Sequence, residues 1–201
     1  MSDVLPISVI VTLLPSRDEF FVEHCLPSIV ANNPAEIIVE RAPGGMCERR
    51  NRGAAKATQP FLLFCDDDDV LYPETLRKLL DALTGDGDAA LAYGHYRVVP
   101  HGDHWHPAVD VVKAAPWNVP ALRSRNYVNS CSLLRASTFP GWDEKLLSYV
   151  DWDMALTLAG RGHHGVFIDE ILFEAHYIDK CNSAHPYGPA SRRYILQKHG
   201  L

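Results

Sequence analysis

The chain has 201 residues, 47% hydrophobic and 22% charged, which is the composition of a folded domain and excludes wholesale disorder. Nineteen Lys and Arg against 25 Asp and Glu give a formal charge of −6, which argues against a dedicated nucleic-acid binder or a polybasic membrane-surface protein. The longest apolar stretch, residues 4–14, is interrupted by Pro6, Ser8 and Thr12 and falls well short of the roughly 18 residues that cross a bilayer, so the sequence predicts no signal peptide, no integral membrane segment and a cytoplasmic location.

In chain order, Ile7 to Leu14 (ISVIVTLL) reads as a buried strand because it is rich in β-branched residues without alternation. Asp18 to Val30 carries Phe20, Phe21, Cys25, Leu26 and Ile29 near a helical period, and Glu36 to Glu40 is a short second strand. Met46 to Ala57 predicts a helix whose small residues Gly53, Ala54 and Ala57 allow close packing. Arg49, Arg52 and Lys56 form its basic face, which is either solvated or turned toward a phosphate. Phe61 to Cys65 (FLLFC) is a third, central strand. Pro73 suits a first helical position, and Leu76, Leu79, Leu80 and Leu83 give the stripe of a packed helix that stops near Gly85. Ala89 to Tyr93 is a fourth strand.

This strand–helix alternation implies right-handed crossovers, a mostly parallel sheet and a Rossmann-like α/β layer. From His95 to Asn126 the rhythm breaks, and the segment reads as long loops over the open edge of the sheet. Ser130 to Leu134 is strand-like, and Trp152, Ala155, Leu156 and Ala159 mark a helix. Val166 to Tyr177 is again strand-like, and Ser191 to His199 forms a terminal helix. Five scattered cysteines (Cys25, Cys47, Cys65, Cys131, Cys181) include no CxxC pair and read as buried thiols in a reducing compartment. His101, His104 and His106 could bind zinc, but a His-rich loop of this kind is more often solvated.

The strongest chemical signal is Asp66-Asp67-Asp68-Asp69 directly after FLLFC. Four adjacent carboxylates repel one another, and they stand at the carboxyl end of a buried strand, where open α/β sheets bind ligands. In an extended backbone Asp66 and Asp68 share one side and Asp67 takes the other, a spacing that suits a hard divalent cation bridged to phosphate. The alternative is an acidic turn that favours the following helix dipole. Asp151 stands where a helix begins and reads as its N-cap, with Asp153 in the first turn favouring the dipole.

Residues 50–76, RNRGAAKATQPFLLFCDDDDVLYPETL, and residues 130–161, with a strand ending in Arg135, the turn Gly141-Trp142-Asp143-Glu144 and the helix start Val150-Asp151-Trp152-Asp153, resemble the family 2 glycosyltransferases of the GT-A fold. The resemblance implies a single GT-A-like domain over 1–201, with a nucleotide-sugar half (1–94) and an acceptor and catalytic half (95–201). It implies an enzyme that moves a sugar from a nucleoside-diphosphate sugar to an acceptor hydroxyl (of a glycan, lipid or small molecule), with inversion and with Mn²⁺ or Mg²⁺. By the same resemblance Asp151 is the general base. Thr12, Arg50, Asp66 and Asp67 lie on the donor side, and Asp66, Asp68, Asp69 and a late His176 hold the metal.

The chain also departs from that pattern. Arg41 and Ala42 stand where a base-binding acid is expected, and Leu13 to Arg17 replace the usual segment after the first strand. Val150 replaces the glutamate before Asp151. These departures predict weak discrimination among nucleobases. They also leave open a non-catalytic nucleotide- or sugar-binding protein. A phosphohydrolase is the more distant alternative, because its acidic loop would follow the first strand rather than the third and no downstream catalytic lysine is evident.

Overall fold

The computed structural model describes residues 3–102, 106–178 and 184–201, so Cys181 and His104 lie outside the described residues. One sheet runs through the molecule. Its strands are β1 (Leu5–Thr12), β2 (Pro34–Glu40), β3 (Phe61–Asp66), β4 (Asp69–Leu71), β5 (Leu91–Pro100), β6 (Val111–Val112), β7 (Leu133–Arg135) and β8 (Gly165–Tyr177). They are ordered β2-β1-β3-β7-β5-β8-β4, with β6 on the edge of β5. The long ladders β1–β2, β1–β3 and β5–β8 are parallel. The antiparallel ones, through β4, β6 and β7, are only two or three residue pairs long. The expected mostly parallel α/β sheet is therefore present, with β7 wedged antiparallel between β3 and β5.

The helices follow from the same patterning. β1 is apolar on both faces because both are covered: Ile7, Val9, Ile10 and Val11 are all fully buried. On one face Val9, Val11, Leu63 and Cys65 pack with Ile29 of α2 (Leu26–Ala31) and with Leu76, Leu79, Leu80 and Leu83 of α4 (Thr75–Gly85). On the other face Ile10, Leu62 and Phe64 pack against α3 (Met46–Lys56), α5 (Val119–Ser124) and α6 (Val150–Gly160). Gly53 explains how α3 lies so near β1, since a Cβ there would stand 2.4 Å from Ile10 Cγ2.

Several elements differ from expectation for identifiable reasons. The helix expected over 18–30 is a 3₁₀ turn (Pro15–Arg17), α1 (Asp18–Phe20), a π-helical segment (Phe21–Cys25) and α2. The Leu26 N–H reaches five residues back to the Phe21 carbonyl just ahead of Pro27, which has no N–H for the normal ladder. Pro73 does not open α4; Glu74, at φ +66°, turns the chain into it. His95 to Pro100 are not loop but the second half of β5. Register shifts on either side of His95 break the alternation that would have revealed a strand. Gly94 permits that irregularity, because a Cβ there would stand 2.9 Å from the carbonyl oxygens of Ile168 and Glu170. The terminal helix α7 (Ala184–His199) begins earlier than expected, across a stretch whose prolines and glycine disguised it. No helix among the described residues is long and apolar enough to cross a membrane.

Candidate functional site

The parallel β1–β3 ladder pairs Thr12 with Asp66, so the two strands end side by side, and Thr12 also pairs with Glu40 of β2. The chain turns at Asp67 and Asp68 and returns as β4 from Asp69. The turn abolishes the extended alternation expected for the four acids. Asp66 and Asp69 line a cavity of about 300 Å³, while Asp67 and Asp68 meet Arg17.

Each acid has a distinct environment. Asp66 Oδ1 accepts a bond from Arg50 Nη2 at 2.5 Å, and the Arg50 guanidinium lies 4.9 Å from the centre of the Trp142 ring. Arg50 is fully buried. Burial works against its charge, but Asp66, and more weakly Asp151, outweigh that and hold the proton more firmly than usual. Asp67 accepts from Arg17 Nη1 and from the Leu14 N–H, both at 2.7 Å, which ties the acid turn to the end of β1. Asp68 is 2.5 Å from Arg17. Burial, with the charges of Asp66 and Asp67, outweighs that arginine and pushes Asp68 up to about 8. Burial also raises Asp67, and with the neighbouring carboxylates it raises Asp69 well above the usual range.

The far wall of the same cavity carries Asp151, in the first turn of α6, with Asn126, Asn129 and Tyr149. The N-cap of α6 is Tyr149, at φ +56°, rather than Asp151. Asp151 Oδ1 accepts the Trp152 N–H at 2.9 Å. Burial raises the Asp151 carboxyl despite bonds from Asn126 and Trp152 and the charge of Arg50, so the helix N-terminus does not offset the burial. Asn51 ties this half to α3, for its side chain takes the Trp142 N–H at 2.8 Å and donates to the Trp142 carbonyl at 2.9 Å.

The structure thus brings Arg50, Asp66, Asp69 and Asp151 to one cavity, from α3, β3, β4 and α6. His176 touches the acid turn through its backbone, donating its N–H to the Asp68 carbonyl at 2.9 Å. Phe173, Ala175 and Tyr177 line the cavity, so alternation along β8 turns the His176 ring to the other face. There Nδ1 lies 2.9 Å from His101 Nε2, and the ring packs on Phe20. His106 is engaged with the Pro107 carbonyl rather than grouped with His101. The basic face of α3 is also committed: Lys56 and Arg52 pair with Glu40, and Arg52 holds the Ala42 and Pro43 carbonyls. Asn126, Asn129, Tyr96 and Tyr149 were missed by sequence reasoning, because they sit on loops or irregular strand with no periodic signal.

Asp153, two residues from Asp151, is buried and faces α7, with Lys198 Nζ and His199 Nε2 each at 2.8 Å. Asp153→Asn should therefore lower stability by about 1–3 kcal/mol in chemical denaturation, because it weakens two charge-assisted bonds. Ligand binding in the cavity should stay intact, and a loss of binding with unchanged stability would contradict this placement.

A model of glycosyl transferase family 2 matches residues 23–140. No curated protein matches the sequence closely. Among solved structures, S. aureus TarS 1-349 is similar at 14% identity and a TM-score of 0.64, covering 96% of this chain and 64% of that one. The same protein in complex with UDP-GlcNAc gives a TM-score of 0.69 over 96% of this chain and 66% of that one, also at 14% identity. Glucosyl-3-phosphoglycerate synthase from Mycobacterium tuberculosis, in complex with Mg²⁺ and UDP, is similar at 11% identity and a TM-score of 0.61, over 97% and 79% of the two chains. At such identities the likeness is one of fold, and this chain spans less than two-thirds of the first of these structures.

Proposed function

We infer the function from one premise: the chain belongs to glycosyl transferase family 2. We propose that it is a nucleotide-sugar glycosyltransferase that passes the sugar of a nucleoside-diphosphate donor to an acceptor hydroxyl, with inversion. The observation that carries this reading is the convergence of Arg50, Asp66, Asp69 and Asp151 on one cavity at the carboxyl end of β3. The solved structures similar in fold include complexes with UDP-GlcNAc and with Mg²⁺ and UDP, which favours a UDP-sugar donor.

The residues fit a hard divalent cation, Mg²⁺ or Mn²⁺. They offer only oxygen ligands, and Asp68 and Asp69 are carboxyls whose pKa values are raised by burial and mutual repulsion, a cost that a cation relieves. We assign it to Asp66 and Asp69, which line the cavity, with Asp68 held behind them by Arg17 and His176 acting through its backbone bond to the turn. When bound, the cation neutralises charge that develops on the diphosphate leaving group. Arg50 orients Asp66 and adds fixed positive charge on the donor side, beside Thr12 and Asp67. Asp151, across the cavity, accepts the proton of the acceptor hydroxyl as that oxygen attacks the anomeric carbon from the side opposite the diphosphate. The ion pair of Arg41 with Asp18 and the grip of Arg52 on the Ala42 and Pro43 carbonyls leave no acid at 41–42 to read a base, which supports weak base discrimination. If UDP-sugars bound without any turnover, a binding protein would be the better reading.

UDP affinity measured by calorimetry should fall at least about tenfold (1.4 kcal/mol) when Mg²⁺ is replaced by EDTA. The metal-free protein should also respond to pH. Asp67, Asp68, Asp69 and Asp151 are raised above their unfolded values, so the folded state holds more protons. Their contribution to stability is therefore largest at low pH and declines as pH rises from 3.8 through about 8. Mg²⁺ with UDP should flatten that decline in thermal melts. Equal UDP affinity in EDTA would refute the metal assignment.

A further inference from the structure

Behind the acid turn, two thiols from separate segments meet Asp69, and a third, Cys25, lies beside them. Cys25 ends the π-helical segment, Cys65 precedes Asp66 on β3, and Cys131 lies just before β7. Antiparallel pairing continued two residues beyond Leu63 and Leu133 brings Cys65 opposite Cys131. The sulfurs of Cys65 and Cys131 and a carboxylate oxygen of Asp69 lie within 4.8 Å of one another. The Cys25 and Cys65 sulfurs both approach the Asp66 carbonyl, at 3.5 and 3.6 Å. All four residues are buried.

Thiols alone in a core would be small apolar fillers. Asp69 makes this cluster different, because it adds a buried oxygen donor to the thiols; its Oδ2 also accepts the Asp66 N–H at 3.2 Å. In a tetrahedral zinc site, bonds of about 2.3 Å to sulfur and about 2.0–2.2 Å to oxygen place the ligand atoms roughly 3.5–3.8 Å apart. The cluster would need to contract by little more than about 1 Å to reach that geometry. The chemistry of the donor set is soft and selects against Mg²⁺.

We propose that Cys65, Cys131 and Asp69 form the core of a second metal site, for a soft divalent cation such as Zn²⁺, with the neighbouring Cys25 thiol as its fourth donor. On binding, each thiol releases its proton to water as its sulfur–metal bond forms. Asp69 also lines the donor cavity, so a cation held by the thiolates withdraws it from the oxygen-ligand site. Zn²⁺ then antagonises donor binding supported by Mg²⁺, a consequence that rests on the function proposed above.

The test uses the full chain, reduced and stripped with a chelator, then titrated with Co²⁺ as a spectroscopic substitute for Zn²⁺. About one equivalent should bind with the thiolate charge-transfer absorption of tetrahedral cobalt, and Zn²⁺ should displace it. Cys131→Ser and Cys65→Ser should weaken binding by at least about tenfold, whereas Cys47→Ser should not. Absence of the charge-transfer band in the wild-type protein would overturn the site, even if a variant failed to fold. An undiminished band in folded Cys131→Ser would do the same. UDP binding in Mg²⁺ that is indifferent to Zn²⁺ would overturn the link to the donor cavity. A cobalt–thiolate band in a protein that never binds UDP would support this site and refute the transferase reading instead.

Discussion

Asp151→Asn should reduce sugar transfer, measured as UDP release from a panel of UDP-sugars, by about 10²–10⁴ while UDP affinity stays nearly constant. The amide oxygen can still accept the Trp152 N–H that Asp151 Oδ1 takes at 2.9 Å, so the first turn of α6 keeps its local bond. The amide cannot accept a proton. Because burial raises the Asp151 carboxyl, the wild-type rate should climb with pH along an acid limb centred above 3.8, and the asparagine variant should lose that limb. The substitution should not destabilise the protein near neutral pH, since it removes a carboxylate whose ionisation burial opposes. Asp153→Asn serves as the control, because its bonds face Lys198 and His199 rather than the cavity. If Asp151→Asn kept more than about a tenth of the rate, the base would have to be another group.

Arg50→Ala should be the most damaging single change on the donor side. It leaves Asp66 without its 2.5 Å partner, removes the cation from the Trp142 ring and opens space in a fully buried position. Breaking a buried pair by removing one partner costs about 3–5 kcal/mol, and the lower end applies because the Asp66 side chain is 35% exposed. UDP affinity should also drop by more than about tenfold, since an unpaired Asp66 adds negative charge beside a diphosphate. Arg50→Lys restores the charge without the planar fork and should recover part of the stability but less of the binding. Unchanged denaturation and unchanged UDP affinity in Arg50→Ala would show that the pair is incidental to both.

Much of the β1–β3 half of the sheet could be read from the chain. β1 and β3 are continuous apolar runs, and such runs are buried on both faces wherever they occur. The leucine stripe of α4 and the small residues of α3 carry their packing direction in their spacing. The Arg50-Asn51 pair was visible as a motif, but its physical basis was not. Asn51 fastens the Trp142 turn, and Trp142 in turn covers Arg50, so residues 91 apart in sequence complete one another.

What the sequence alone determined was local: which runs are strands, where four carboxylates crowd the end of one, and that an acid stands at the opening of α6. These follow from side-chain chemistry and periodicity within a few residues, which the chain carries before it folds. What only the tertiary structure decided was which groups share a space. The turn at Asp67–Asp68 sends those two acids to Arg17 and leaves Asp66 and Asp69 facing Asp151. The irregular second half of β5 pairs with β8, builds a wall from residues expected in loops, and turns the His176 ring off the cavity. Cys65 and Cys131 meet Asp69 only because β7 is inserted antiparallel beside β3. Each of these outcomes depends on long-range register and on competing burial of distant segments, and neither has a signature in the order of neighbouring residues.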